Sequence, residues 1–140
     1  MTNAPKLRTG SLARKAGVGL QTILYYDKRG LVKPNSRTEF GHRLYEEAAV
    51  RTIRFIKNAQ SLGFTLDDIS TLLHYRGRKN SGSASVRRKT QLRLEAIRAE
   101  LKEIKSRERR LSTILNQCSG GKTKVEGCPI LNAIESSALR

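Results

Sequence analysis

From Val86 to Leu115 the chain contains no proline or glycine, and apolar or small side chains recur at Val86, Thr90, Leu94, Ile97, Leu101, Ile104, Leu111 and Leu115. The steps are three or four residues, with Glu108 at the one charged position of the seam. A stripe of this heptad-like period buries one narrow face against a partner helix. At ~1.5 Å per residue the segment makes a rod of about 45 Å. Such a rod carries too little apolar surface to be stable alone in water. Parallel or antiparallel pairing of two chains is the simplest way to bury it; the alternative is a helix lying on its own domain.

The rest of the chain has room for one small domain before the rod and a short tail after it. Hydrophobic residues make up 37% of the 140 residues, Trp is absent and Phe occurs three times, so a single thick core is not expected. The formal net charge is +16. It is uneven: residues 76–116 hold 13 Lys/Arg against four Asp/Glu, a local excess of +9. That balance favours polyanionic partners through phosphate contacts and counterion release. No stretch has the length and apolarity of a membrane span, and the N-terminus lacks an apolar signal core, so a cytoplasmic protein is expected, without a membrane partner. Cys118 and Cys128 are then expected as thiols.

Taken in order, residues 7–75 read as a DNA-binding domain. Thr9 or Ser11 can cap a short helix, Ser11–Ala16, which Gly17 closes. A turn through Val18 and Gly19 leads to a second helix, Gln21–Lys28. Two short helices joined by a glycine-containing turn describe a helix-turn-helix whose second helix enters the major groove. The segment from Arg37 to Tyr45, with Gly41 near its turn, has the look of a two-stranded wing. A third helix runs from about Glu46 to Leu62. Thr65 is a plausible N-cap for a fourth, with Asp67 and Asp68 in its first turn. Residues 76–85 form a polar hinge, 86–116 the dimerisation helix, and 117–136 a cysteine loop with a short closing helix beginning near Pro129.

Gln21 and Thr22 stand where base edges are met, and Arg14 and Lys15 where phosphate is met. Tyr25 and Tyr26 divide between core packing and phosphate contact. Arg37 and Arg43 in the wing are expected at the DNA backbone or minor groove, with Tyr45 beside them and Lys28 adding charge on the second helix. Asp27, an acid among bases, is expected to cap a helix or to pair with a neighbouring Arg or Lys. No catalytic grouping is present: there is no nucleophile–His–acid set, no HExxH and no Gly-rich phosphate loop. An enzyme is not expected.

Five pieces together resemble the MerR family of transcriptional regulators: "Thr22-Ile23-Leu24-Tyr25-Tyr26-Asp27 … Gly30-Leu31", "Gly41-His42-Arg43-Leu44-Tyr45", "Arg54-Phe55-Ile56 … Leu62-Gly63-Phe64-Thr65-Leu66-Asp67-Asp68-Ile69", the long helix, and "Cys118 … Cys128-Pro129-Ile130-Leu131". The resemblance implies a mainly α fold, with a winged helix-turn-helix domain followed by a long antiparallel coiled-coil dimerisation helix and a short metal-binding loop. It implies a homodimer that binds promoter DNA and, on binding its effector, untwists an overlong spacer for RNA polymerase. The end of the chain most resembles the copper-efflux and mercury-resistance regulators, with Cys118 and Cys128 as metal ligands. Ser83 occupies the place where mercury and zinc-type sensors carry a cysteine; in the family, serine there goes with sensors of Cu(I), Ag(I) or Au(I).

The chemistry of the donors agrees. Two thiolates suit a soft d¹⁰ ion in linear coordination, whereas tetrahedral Zn²⁺ usually needs four ligands. The readings left open are Hg(II) or another thiophilic divalent ion, and a pair of thiols that senses redox state by forming a disulfide. C-x₉-C by itself is a weak motif.

Overall fold

A computed structural model describes residues 5–78, 82–121 and 124–136. Its elements in order are β1 (Leu7–Arg8), α1 (Thr9–Ala16), α2 (Leu20–Lys28), β2 (Ser36–Arg37), β3 (Arg43–Tyr45), α3 (Ala48–Ser61), α4 (Leu66–Arg76), α5 (Ala84–Asn116), a 3₁₀ turn (Val125–Gly127) and α6 (Pro129–Glu135). They fall into two compact units, residues 1–89 and 90–140, with α5 beginning in the first and filling most of the second. No helix among the described residues is long and apolar enough to cross a membrane.

In the first unit, α1 and α2 are joined by a turn that only glycine makes cheaply. Gly17 ends α1 at φ 70°, in the left-handed region where a Cβ is strained. The last carbonyls of α1 are then satisfied from α3: Arg54 Nη2 donates to the Lys15 carbonyl at 3.0 Å, and Lys57 Nζ to that of Gly17 at 3.1 Å. Placing cations there also suits the negative end of the helix dipole. Leu12, Ala13 and Ala16 of α1, Ile23 and Tyr26 of α2, and Val50, Ile53, Ile56 and Ala59 of α3 are buried together in one core. Their three-and-four spacing is the apolar face that the sequence displays.

The sequence predicts a cap for α1 at Thr9 or Ser11, but neither residue supplies it. Arg8 occupies the cap position in an extended conformation, with no side-chain cap bond. The reason is β1: Leu7 pairs with Tyr45 and Arg8 with Leu44, so the chain passes directly from strand to helix. The wing consequently has three strands in the order β1-β3-β2 instead of two. Thr65 does cap α4. Asp68 N donates to Thr65 Oγ1 at 3.1 Å and Thr65 N to Asp68 Oδ2 at 3.3 Å, a reciprocal capping box.

Helix α5 spans 33 residues, about 50 Å at 1.5 Å per residue. Leu94, Ile97, Leu101, Ile104, Leu111 and Leu115 lie exposed along it. Within residues 76–85 of the expected hinge, residues 79–81 lie outside the described residues, as do Lys122 and Thr123 of the cysteine loop.

Candidate nucleic-acid interface and thiol pair

One side of α2 is given to the core by Ile23 and Tyr26. Gln21, Tyr25 and Lys28, spaced by four and three residues, share the opposite side and are exposed. Thr22 is half-buried on the first turn. The adjacent tyrosines separate as the sequence predicts: Tyr25 is 47% exposed, whereas Tyr26 is 4% exposed. The Tyr26 hydroxyl is engaged with Gln60 Oε1 at 2.7 Å. Burial, with Tyr25 adding to it, pushes the Tyr26 phenol above its ordinary range.

Tyr26 therefore belongs to the core, as does Tyr45, although both stand among the DNA contacts expected from the sequence. Tyr45 is fully buried. Its pairing with Leu7 turns the ring inward from the last residue of β3, and burial, then the Asp27 charge, raise its phenol pKa.

The wing is built on its turn. Gly41 adopts φ 82°, and its amide donates to the Thr38 carbonyl at 2.9 Å. Arg37 Nη1 donates back to the Gly41 carbonyl at 3.0 Å, so this exposed guanidinium braces the turn. Arg43 pairs through Nε with Asp27 Oδ2 at 2.8 Å, tying β3 to the end of α2. Asp27 is thus the paired acid that its position among bases suggests. Arg14 is exposed and donates to Ser11 Oγ at 3.3 Å. Lys15 is exposed and shares its charge with Glu47 at 3.3 Å. The strand register also brings Arg8 and His42 alongside Arg43 around a cleft; neither was among the predicted contacts. Arg8 is brought there by the β1–β3 pairing, which is not local in sequence, whereas His42 is the neighbour of Arg43 in the chain.

The second unit holds the thiols. Cys118 lies just beyond α5, and its amide donates to the Leu115 carbonyl at 3.3 Å. Cys128 is the residue before Pro129 and opens α6. Backbone N–H groups of Leu131 and Ile130 hold the Cys128 thiolate and lower its pKa, against the opposing effect of burial, and a hydrogen bond with the Cys118 side chain adds to this. The two sulfurs are therefore neighbours. Both are free thiols. No group of three or more His, Cys, Asp or Glu side chains able to hold a metal occurs among the described residues. Two thiols are donors of the type that suits a soft, thiophilic ion. Ser83 lies in the first unit, exposed at the start of α5, where its carbonyl accepts from Arg87 N at 2.9 Å.

Comparison with known proteins is consistent across the chain. Residues 7–76 match the family described as MerR HTH family regulatory protein, and residues 50–114 match that described as MerR, DNA binding. The mercuric resistance operon regulatory protein of Bacillus cereus is 37% identical over 129 residues, covering 92% of this chain and 97% of that protein. Among solved structures, the transcription regulator PbrR691 from Ralstonia metallidurans CH34, in complex with lead(II), superposes with a TM-score of 0.82 at 30% identity, covering 91% of this chain and 98% of that one. The regulator MerR from Bacillus megaterium MB1, in complex with mercury(II), gives a TM-score of 0.69 at 32% identity over 93% of this chain and all of the other. The helix-turn-helix, the wing, the long helix and these matches lead to one assignment: the chain belongs to the MerR family of helix-turn-helix regulatory proteins, which are DNA-binding transcription regulators and not enzymes.

Proposed function

We propose that this regulator works as a homodimer on promoter DNA and senses a soft monovalent ion, Cu(I), Ag(I) or Au(I), through Cys118 and Cys128. The observation that carries the reading is the pair of free thiols Cys118 and Cys128, beside which no third metal-binding side chain is gathered among the described residues. Two thiolates satisfy a linear d¹⁰ ion, and the amides of Ile130 and Leu131 offset the negative charge such a site retains. Cys118 and Cys128 would hold the ion, and its bonds to sulfur would supply the energy that orders the loop between α5 and α6. The exposed apolar stripe from Leu94 to Leu115 supports an antiparallel coiled-coil pairing of two chains.

In the dimer, two winged domains grip one promoter. Gln21 and Thr22 meet base edges in the major groove, with Arg14, Lys15, Tyr25, Lys28, Arg37 and Arg43 on the backbone side. Effector binding changes how the two domains are set on the duplex, so that the spacer is untwisted and bent and RNA polymerase engages both promoter elements. Ser83 keeps coordination low by offering a hydroxyl, a poor ligand for Cu(I), where a thiol would raise it.

A second reading, Hg(II), is favoured by the likeness to the mercuric resistance regulator and to the mercury(II)-bound structure. A competitive titration of the reduced dimer with Cu(I), Ag(I), Hg(II) and Zn(II) separates the two. One Cu(I) or Ag(I) per thiol pair, lost in Cys118→Ser and coupled to promoter activation, supports the monovalent sensor. Preference for Hg(II) coupled to activation replaces it with the second reading.

A further inference from the structure

The two flanks of α5 differ in charge. On one, cations and acids are matched: Arg93 Nη2 stands 3.8 Å from Glu100 Oε1, and Glu103 Oε1 is shared by Arg107 Nε at 3.4 Å and Arg110 Nη2 at 3.6 Å. On the other, Arg98, Lys102, Lys105 and Arg109 follow one another by four, three and four residues, and all are exposed. None of these four has an ion-pair partner among the described residues. At ~3.6 residues per turn they share one side of the helix, roughly a quarter turn from the apolar seam, and rise over about 16 Å. Like charges four residues apart weaken a helix, so this stripe works against the rod that carries it. A face that is merely solvated mixes its signs, as the opposite flank does.

We propose that this stripe binds the phosphate backbone of a second DNA duplex, apart from the promoter held by the helix-turn-helix units, so that one dimer bridges two duplexes. Three arguments lead there. A protein partner is gripped through buried aromatic or apolar anchors; the stripe has none, and beyond Arg109 its side of the helix continues into Ser112 and Asn116. A partner recognised by charge alone fits better. Next, the four cations stand about 4.5 or 6 Å apart along the axis, against a duplex that carries a charge every ~3.4 Å per strand. Each therefore meets a phosphate without a fixed register, and Arg and Lys serve alike because no base edge is read. Finally, a separate duplex needs no distortion, whereas carrying the promoter itself round to the rod would cost bending energy.

The test saturates an immobilised short promoter duplex with the full-length protein and measures capture of a labelled mixed-sequence duplex against NaCl concentration. Wild type is compared with Lys102→Gln/Lys105→Gln, with Arg98→Gln/Arg109→Gln at the ends of the same stripe, and with Arg107→Gln/Arg110→Gln, which removes as much charge from the paired flank. The expected result is capture by wild type and a several-fold loss in each stripe variant at unchanged promoter affinity. The slope of log K against log salt for the second duplex should shrink by about 1.8 in each, the share of two phosphates. The paired-flank variant should change less, and Arg98→Lys/Arg109→Lys should capture like wild type. No capture by wild type, or equal losses from both flanks, overturns the proposal. Two further arms name what would replace it. If a promoter fragment with long flanks binds more tightly through the stripe while no separate duplex is captured, the contact is to the same DNA molecule. If poly-glutamate binds in a stripe-dependent way and duplex does not, the partner is an acidic protein surface.

Discussion

Lys89 Nζ, in the second turn of α5, stands 3.2 Å from Asp68 Oδ1, the same carboxylate that completes the capping box of α4. One acid thereby satisfies the start of one helix and tethers the start of another. Its hydrogen bond with Thr65 and then its bond with Lys89 hold the Asp68 carboxyl below the ordinary carboxylate range. The group is favoured charged in the folded state, so its contribution is present above the unfolded pKa and is lost as pH falls through the folded one. Asp68→Ala should cost about 1 kcal/mol at neutral pH, the usual worth of a cap. Lys89→Met should cost less, since the pair is partly solvated. Urea unfolding at neutral pH and at about pH 3 checks both: the gap between wild type and Asp68→Ala should narrow in acid, and a gap independent of pH would refute the linkage.

The Asp27–Arg43 pair makes a prediction whose sign separates two ideas. If Asp27 merely adds unfavourable charge to a DNA-binding surface, Asp27→Ala should tighten binding. If it orients Arg43 in the wing, the same change should weaken binding despite removing a negative charge. We expect weakening by a few-fold. A cycle with Arg43→Ala should show coupling, because Asp27→Ala should have little further effect once Arg43 is gone. Gel-shift titrations on one duplex decide between them.

Much of this molecule is legible in its residues, and the failures share a cause. The period of α5, the two-helix unit and the Thr65 cap are local patterns, so the sequence displays them directly. Strand β1 has only two residues, Leu7 and Arg8, too few to show an alternating pattern. Its register with β3 is set by tertiary pairing, and that pairing puts Tyr45 in the core and brings Arg8 beside His42. The reach of Lys89 to Asp68 crosses 21 residues and was equally hidden. In the thiol loop, the sequence shows two donors; their proximity and the amides of α6 behind Cys128 come from the folded backbone.

Tyr25, Tyr26 and Tyr45 of the DNA-binding unit should separate by experiment. Tyr26→Phe deletes the hydroxyl bonded to Gln60 and should lower stability by about 1 kcal/mol while leaving duplex affinity unchanged. Tyr25→Phe should leave stability within about 0.5 kcal/mol, as for most exposed positions, and weaken binding if its hydroxyl meets phosphate. Tyr45→Ala, at a fully buried site, should cost about 3–5 kcal/mol, in the range of large aromatic truncations. Parallel denaturant and affinity measurements on the three variants test the assignment; lost affinity in Tyr26→Phe at unchanged stability would return Tyr26 to the interface.

The exposed stripe on α5 predicts the oligomeric state. Leu101 is 47% exposed within one chain and lies mid-seam. Leu101→Glu would place a charge from each chain inside the paired helices, where an unpaired buried charge costs about 3 kcal/mol or more. That corresponds to at least a 100-fold weaker dimer, by ~1.4 kcal/mol per tenfold. Sedimentation velocity should show wild type as a dimer at micromolar concentration and Leu101→Glu as a folded monomer. A monomeric wild type would mean that α5 folds onto something else.

Cys128 should reveal its surroundings through its reactivity. The amides of Leu131 and Ile130 favour its thiolate, so at a given pH below the ordinary thiol range a larger fraction is ionised in the folded protein than in urea. Because the thiolate is the nucleophile, alkylation of Cys128 followed by peptide mass analysis should rise at lower pH in the native protein than in the unfolded chain. Metal binding needs the same deprotonated sulfur, so uptake of Cu(I) or Ag(I) by the pair should release fewer protons than uptake by two ordinary thiols would. Coincident pH profiles for the native and urea-unfolded protein would show that the start of α6 does not hold the sulfur in solution.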